Sequence, residues 1–137
     1  MAQGYEIRSH QYLETEILVL AREGSKDFME RMRDDPRQHE RLKLIIDLVE
    51  KVCERGVKRC IGRSNFIRML DEDVGLAELK YRGSAVRVMV YVSREGEMSI
   101  VLLCDFKGHG GSDRIQPGKI KKGRYLASIA RECMEEE

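Results

Sequence analysis

The stretch "GLAELKYRGSAVRVMVYVSREGEMSIVLLCDFKG" (Gly75 to Gly108) decides how this chain is read. It contains three runs separated by turn signals. The middle run alternates, with Val86, Val88, Val90 and Val92 on one face and Arg87, Met89 and Tyr91 on the other, as a pleated strand requires. The last run, Ile100 to Cys104, is continuously apolar, as in a central strand covered on both sides. Between them "REGE" has the composition of a hairpin turn, so the spacing predicts an antiparallel meander.

Upstream, "ETEILVLA" (Glu14 to Ala21) fits a first strand, with a short helix as the alternative. "SKDFMERMRDDP" places Phe28, Met29 and Met32 at helical spacing between a capping residue, Ser25, and a stop at Pro36. "PRQHERLKLIIDLVEKVCERG" repeats Leu42, Ile45, Ile46, Val49 and Val52 at intervals of three and four, with Pro36 before it and Gly56 after it, which predicts an amphipathic helix. Residues 57–74 read as a compact connector, and "PGKIKKGRYLASIARECMEEE" as a closing helix whose start Gly123 weakens. The order of elements predicts a single α+β domain with its helices on one face of the sheet.

The chain has 137 residues, enough for one core, and 42% hydrophobic against 36% charged residues describes a globular protein rather than a disordered one. The apolar run Ile17 to Ala21 is too short for a signal peptide and follows Glu14 and Glu16; no run reaches membrane-spanning length, so the expected location is the cytoplasm. The four cysteines are scattered without a CxxC pair, which predicts thiols rather than zinc ligands or a disulfide framework.

A net charge of +1 hides an uneven distribution: residues 1–78 carry −2, residues 79–125 carry +6, and residues 126–137 carry −3. A local positive field attracts phosphate. Walker, HExxH, GxSxG and dinucleotide-binding motifs are missing, and His10, His39 and His109 lie far apart in sequence, so no cofactor or metal is expected. The acidic run Asp71, Glu72 and Asp73 reads as a solvated turn. What remains is the basic and polar set Lys80, Arg82, Arg87, Lys107, His109 and Arg114. Each alone is most often a solvated surface group. Alternation puts Lys80 and Arg82 on one face of the first strand and Arg87 on the face opposite the valines of the second; if these faces coincide, the sheet presents a row of cations that can hold a nucleic-acid backbone and stabilise charge at a reacting phosphate.

The meander resembles the core of the RelE/HigB superfamily, the toxins of bacterial type II toxin–antitoxin pairs, and in particular its phage-derived HigB-like branch. Gly75, Leu76, Glu78, Leu79 and Lys80 match its Gly-Leu-x-Glu-Leu-Arg strand with Lys in place of Arg; Arg87 and Tyr91 match the second strand; Leu102, Leu103, Phe106 and Lys107 match the third. The match, counting the helices upstream, extends over roughly residues 15–135. The resemblance implies a RelE-like α+β fold over residues 1–137, with N-terminal helices and a C-terminal helix on an antiparallel sheet of about four strands, residues 1–13 being an extension. It implies a metal-independent endoribonuclease that cleaves messenger RNA on the ribosome, and a cognate antitoxin with a helix-turn-helix as partner. On this reading Arg87, Lys107 and His109 are catalytic, while Lys80, Arg82 and Arg114 contact RNA. Tyr125 is the other candidate acid, although packing against the sheet is its expected task. The chain departs from the pattern where Gly108 replaces a second Lys and "HGGSDRIQPG" replaces Lys-Thr-Pro. The alternative is a non-catalytic member that uses the same sheet to bind a protein partner or RNA.

Overall fold

The computed structural model describes residues 4–62, 66–80, 86–107 and 117–135, with the backbone alone for 106 and 107. Six strands form one mixed sheet: β1 (Tyr5–Tyr12), β2 (Thr15–Arg22), β3 (Ile67–Asp71), β4 (Leu76–Lys80), β5 (Val86–Ser93) and β6 (Ser99–Lys107), in the spatial order β1-β2-β6-β5-β4-β3. Among the described residues four α-helices accompany them: α1 (Phe28–Arg33), α2 (His39–Arg55), α3 (Val57–Cys60) and α4 (Pro117–Glu135).

The antiparallel meander β4–β5–β6 has Leu76 opposite Tyr91, Lys80 opposite Arg87 and Ser93 opposite Ser99. The expected sheet of about four antiparallel strands preceded by helices is nevertheless wrong. Two further strands extend it, and β2 pairs parallel with β6. Residues 5–12, read as part of an extension, form a complete edge strand whose hairpin with β2 turns at Leu13, a residue at φ +54°. The sequence signal was weak because "YEIRSHQY" is half-exposed throughout and lacks a dry face. Strand β3 lies inside the presumed connector; Ile67 is fully buried, but the remaining four residues are only partly so.

The helices occupy both faces rather than one. Val86, Val88, Val90 and Val92 pack in the same cluster as Met29 and Met32 of α1 and Ile45, Leu48, Val49 and Val52 of α2. The other face, Leu76, Met89, Tyr91 and Val101, packs with Leu126, Ile129 and Ala130 of α4. Both sets of alternating side chains in β5 are therefore covered, and each large aliphatic side chain withdrawn from water contributes about 1.5–3 kcal/mol before entropy is counted. Gly123 marks the closest approach of α4: a Cβ there would lie 2.6 Å from Met89 Sδ and 3.1 Å from both methyl carbons of Leu76.

Helix α1 is capped by Asp27 rather than Ser25. Asp27 Oδ1 accepts from the Glu30 backbone N–H at 2.9 Å, and Glu30 Oε1 accepts from the Asp27 N–H at 3.1 Å, a reciprocal capping box. Pro36 begins a 3-10 turn (Pro36–Gln38) that leads directly into α2, which ends at Gly56. Ion pairs join the layers: Arg41 of α2 to Asp105 of β6 at 2.9 Å, and Arg124 of α4 to Asp71 of β3 at 2.7 Å. The second of these places Asp71 in an interlayer contact instead of a solvated turn.

Candidate functional site at the open end of the sheet

The side of the sheet facing α4 changes character along β4 and β5. Beneath the helix it is apolar, and beyond Met89 it becomes charged. Glu78 sits opposite Met89 on one side and Arg68 on the other, and its side chain is fully buried. Arg87 Nη1 lies 3.3 Å from both Glu78 carboxylate oxygens, while Arg68 Nη2 lies 3.5 Å from one of them. Lys80 stands beside Arg87 in the ladder. Two arginines thus flank one carboxylate. A buried carboxylate requires such compensation, so Arg87 is both a structural partner of Glu78 and part of a local positive excess.

Two segments carrying the remaining candidates join the sheet at this same end. β4 ends at Lys80, β5 begins at Val86, and Val86 is the register partner of Lys107, where β6 ends. Arg82 lies in the first connection and His109 and Arg114 in the second; all three are outside the described residues. The topology therefore brings the attachment points of all six candidates to one sheet end. Lys107, however, is paired with Val86, whereas Arg87 is paired with Phe106, so Lys107 and Arg87 are one step out of phase in the ladder. Tyr125 does not pack against the sheet: it is 60% exposed.

A second polar cluster was invisible to sequence spacing. His10 of β1 places Nε2 2.7 Å from Asp27 Oδ2, with Glu30 close by. Folding brings together residues 17 positions apart, so no local motif announces them. Burial by itself would raise the Asp27 carboxyl, but hydrogen bonds from His10 and from the Glu30 backbone N–H outweigh it and hold the group below the usual carboxylate range. His, Asp and Glu are metal-ligand types, yet the donor set fits an ion poorly. Arg8 places a guanidinium nitrogen 2.8 Å from Glu30 Oε1 and 3.9 Å from Asp27 Oδ2, and both Asp27 oxygens already accept hydrogen bonds. The cluster ties β1 to the start of α1.

The four cysteines form no disulfide: Cys60 and Cys133 are buried, Cys104 is partly buried and Cys53 is exposed. Burial pushes the Cys104 thiol up, against the opposing influence of Lys122. Among the described residues, no helix is long and apolar enough to cross a membrane. No protein-family model matches the chain, and no curated protein or solved structure matches it.

Proposed function

We propose that this chain is the toxin of a type II toxin–antitoxin pair, a cytoplasmic endoribonuclease that cleaves messenger RNA on the ribosome without a metal. The observation that supports the reading is the convergence of Lys80, Arg87 and the connections bearing Arg82, His109 and Arg114 on one sheet end, together with the resemblance of residues 75–107 to the RelE/HigB pattern. Lys80, Arg82 and Arg114 hold the RNA backbone by charge. Arg87, fixed by Glu78, faces the phosphate and stabilises the negative charge that accumulates there, with Lys107 adding to it. A ribose 2′-oxygen forms the new bond to phosphorus as the bond to the 5′-oxygen breaks; His109 moves a proton in this exchange. The products carry a 2′,3′-cyclic phosphate and a 5′-hydroxyl. The antitoxin, with its helix-turn-helix, covers this sheet end.

A second reading is favoured by one specific observation. Arg87 is engaged with a buried carboxylate and is out of phase with Lys107, an arrangement suited to a module that binds RNA or a protein partner without cutting. Inducing the chain in bacteria separates the two. The ribonuclease reading expects growth arrest and fragmentation of translated messages, both relieved by Lys80→Ala and Lys107→Ala. Harmless induction with intact messages selects the binding module.

A further inference from the structure

Among the described residues β2 and β6 are the one pair of neighbouring strands that run parallel, and their register is short: Leu18 with Val101 and Val19 with Leu102. Immediately afterwards β6 has a bulge, since Met89 and Val90 of β5 pair with Cys104 and Leu102 and leave Leu103 over. A bulge bends its strand, and here it turns β6 along β5 while β2 continues along β1. The strands part, opening a crevice of about 490 Å³ at their carboxyl ends. Ligands of open sheets containing parallel strands bind in such places, and the volume falls within the roughly 300–1,000 Å³ of small-molecule sites.

The lining has two parts. Leu20, Leu103 and Leu126, buried in the cluster beneath α4, form an apolar floor, and Phe28, buried in the cluster on the other face of the sheet, also lines the crevice. Arg22, Arg31 and Lys122 are exposed and contribute three cations around it, while Lys26 is paired with Asp34. The two carboxylates present do not offset that charge locally, because Asp105 is paired with Arg41 and Asp27 with His10. Lys122 also belongs to a helix start that has no acidic residue in its first turn but carries Lys119, Lys121 and Lys122 in its first two turns, adding cations to the positive end of the helix dipole.

We propose that this crevice binds a nucleoside monophosphate unit, with the base on the apolar floor and the phosphate among Arg22, Arg31 and Lys122. The unit is either a free nucleotide or one nucleotide of an RNA strand, and its binding does not depend on cleavage at the Lys80–Arg87 end. Isothermal titration calorimetry on the whole chain tests this with uridine and adenosine monophosphates, the matching nucleosides, inorganic phosphate and a short oligoribonucleotide. The expected result is saturable binding of the monophosphates, at least about tenfold weaker binding of nucleosides and of inorganic phosphate, and a loss of about tenfold or more in Lys122→Glu and in Arg31→Glu. Both substitutions are at exposed positions, and Lys43→Glu on the exposed side of α2 leaves binding unchanged. Binding of the oligonucleotide with failure of the free monophosphates, and the same sensitivity to Lys122→Glu, assigns the crevice to a strand nucleotide. Failure of all ligands at millimolar concentration, equal binding of nucleosides, or indifference to both charge reversals overturns the proposal.

Discussion

The two ends of β4 and β5 on the side facing α4 differ sharply, although only three residue pairs lie between Leu76–Tyr91 and Lys80–Arg87. At the Leu76–Tyr91 end, Gly123 lets a helix sit directly on Met89 and Leu76, and the surface is dry. At the Lys80–Arg87 end, charge replaces packing, and a fully buried Glu78 is held by arginines from strands on both sides of its own. Van der Waals contact fixes the first end, so substitutions there are felt as volume. Electrostatic compensation fixes the second, so substitutions there are felt as uncovered charge.

Removing Arg87 produces the largest effect. Arg87→Ala removes one of the two arginines that compensate the buried Glu78 carboxylate and costs about 3 kcal/mol of unfolding free energy in urea denaturation. Adding Glu78→Gln recovers most of that loss; if it does not, the charged end is held by packing after all. Next comes Gly123→Leu, which drives a side chain into Met89 and Leu76 and costs about 2 kcal/mol by the same assay, with Gly123→Ala much milder because Met89 can move and alanine favours the helix. Gly75→Ala follows at about 1–2 kcal/mol: its φ of +72° disfavours a Cβ, and that Cβ would lie 2.8 Å from Tyr91 Cε1 and 3.0 Å from the Val92 carbonyl oxygen.

Asp27 sharpens the contrast with Glu78. It is equally buried, but backbone N–H donation and a histidine compensate it instead of two arginines. Asp27→Ala removes the α1 cap and costs about 1 kcal/mol. Because the folded carboxyl lies below its ordinary range, its stabilisation is complete above the unfolded value of about 4 and disappears as the pH falls through the lower folded value. Denaturation as a function of pH should therefore show less loss on acidification for Asp27→Asn than for the parent chain. The smallest effect on stability, within about 0.5 kcal/mol, is expected of Lys80→Ala, a partly exposed residue at the end of its strand.

The residues that announced themselves in the sequence were those with a strong period. The valine alternation of β5, the apolar run of β6 and the three-and-four spacing of α2 each reappear as elements. What was missed lacked such a pattern. β1 is half-exposed along its length, and β3 is too short and too partly buried to stand out from a connector. The expectation of helices on one face of the sheet left out Met89 and Tyr91, a second apolar set in β5 that α4 covers. At the candidate site, the grouping of Lys80 with Arg87 was legible from strand alternation, but the dependence of Arg87 on Glu78 was not, because a charged residue in a short strand gives no sign of whether it faces water or a cation. The approach of His10 to Asp27 depends on the β1–β2 hairpin and was equally hidden.

The most direct test of the account is cleavage of ribosome-bound messenger RNA by the purified chain in the presence of a chelator that leaves the ribosome assembled, with the new ends analysed chemically. The account predicts cuts that end in a 2′,3′-cyclic phosphate and a 5′-hydroxyl, undiminished by the chelator and lost in a Lys80→Ala chain that unfolds at the parent's urea concentration. Intact message with the parent chain, or equal cleavage by the parent and by Lys80→Ala, contradicts it.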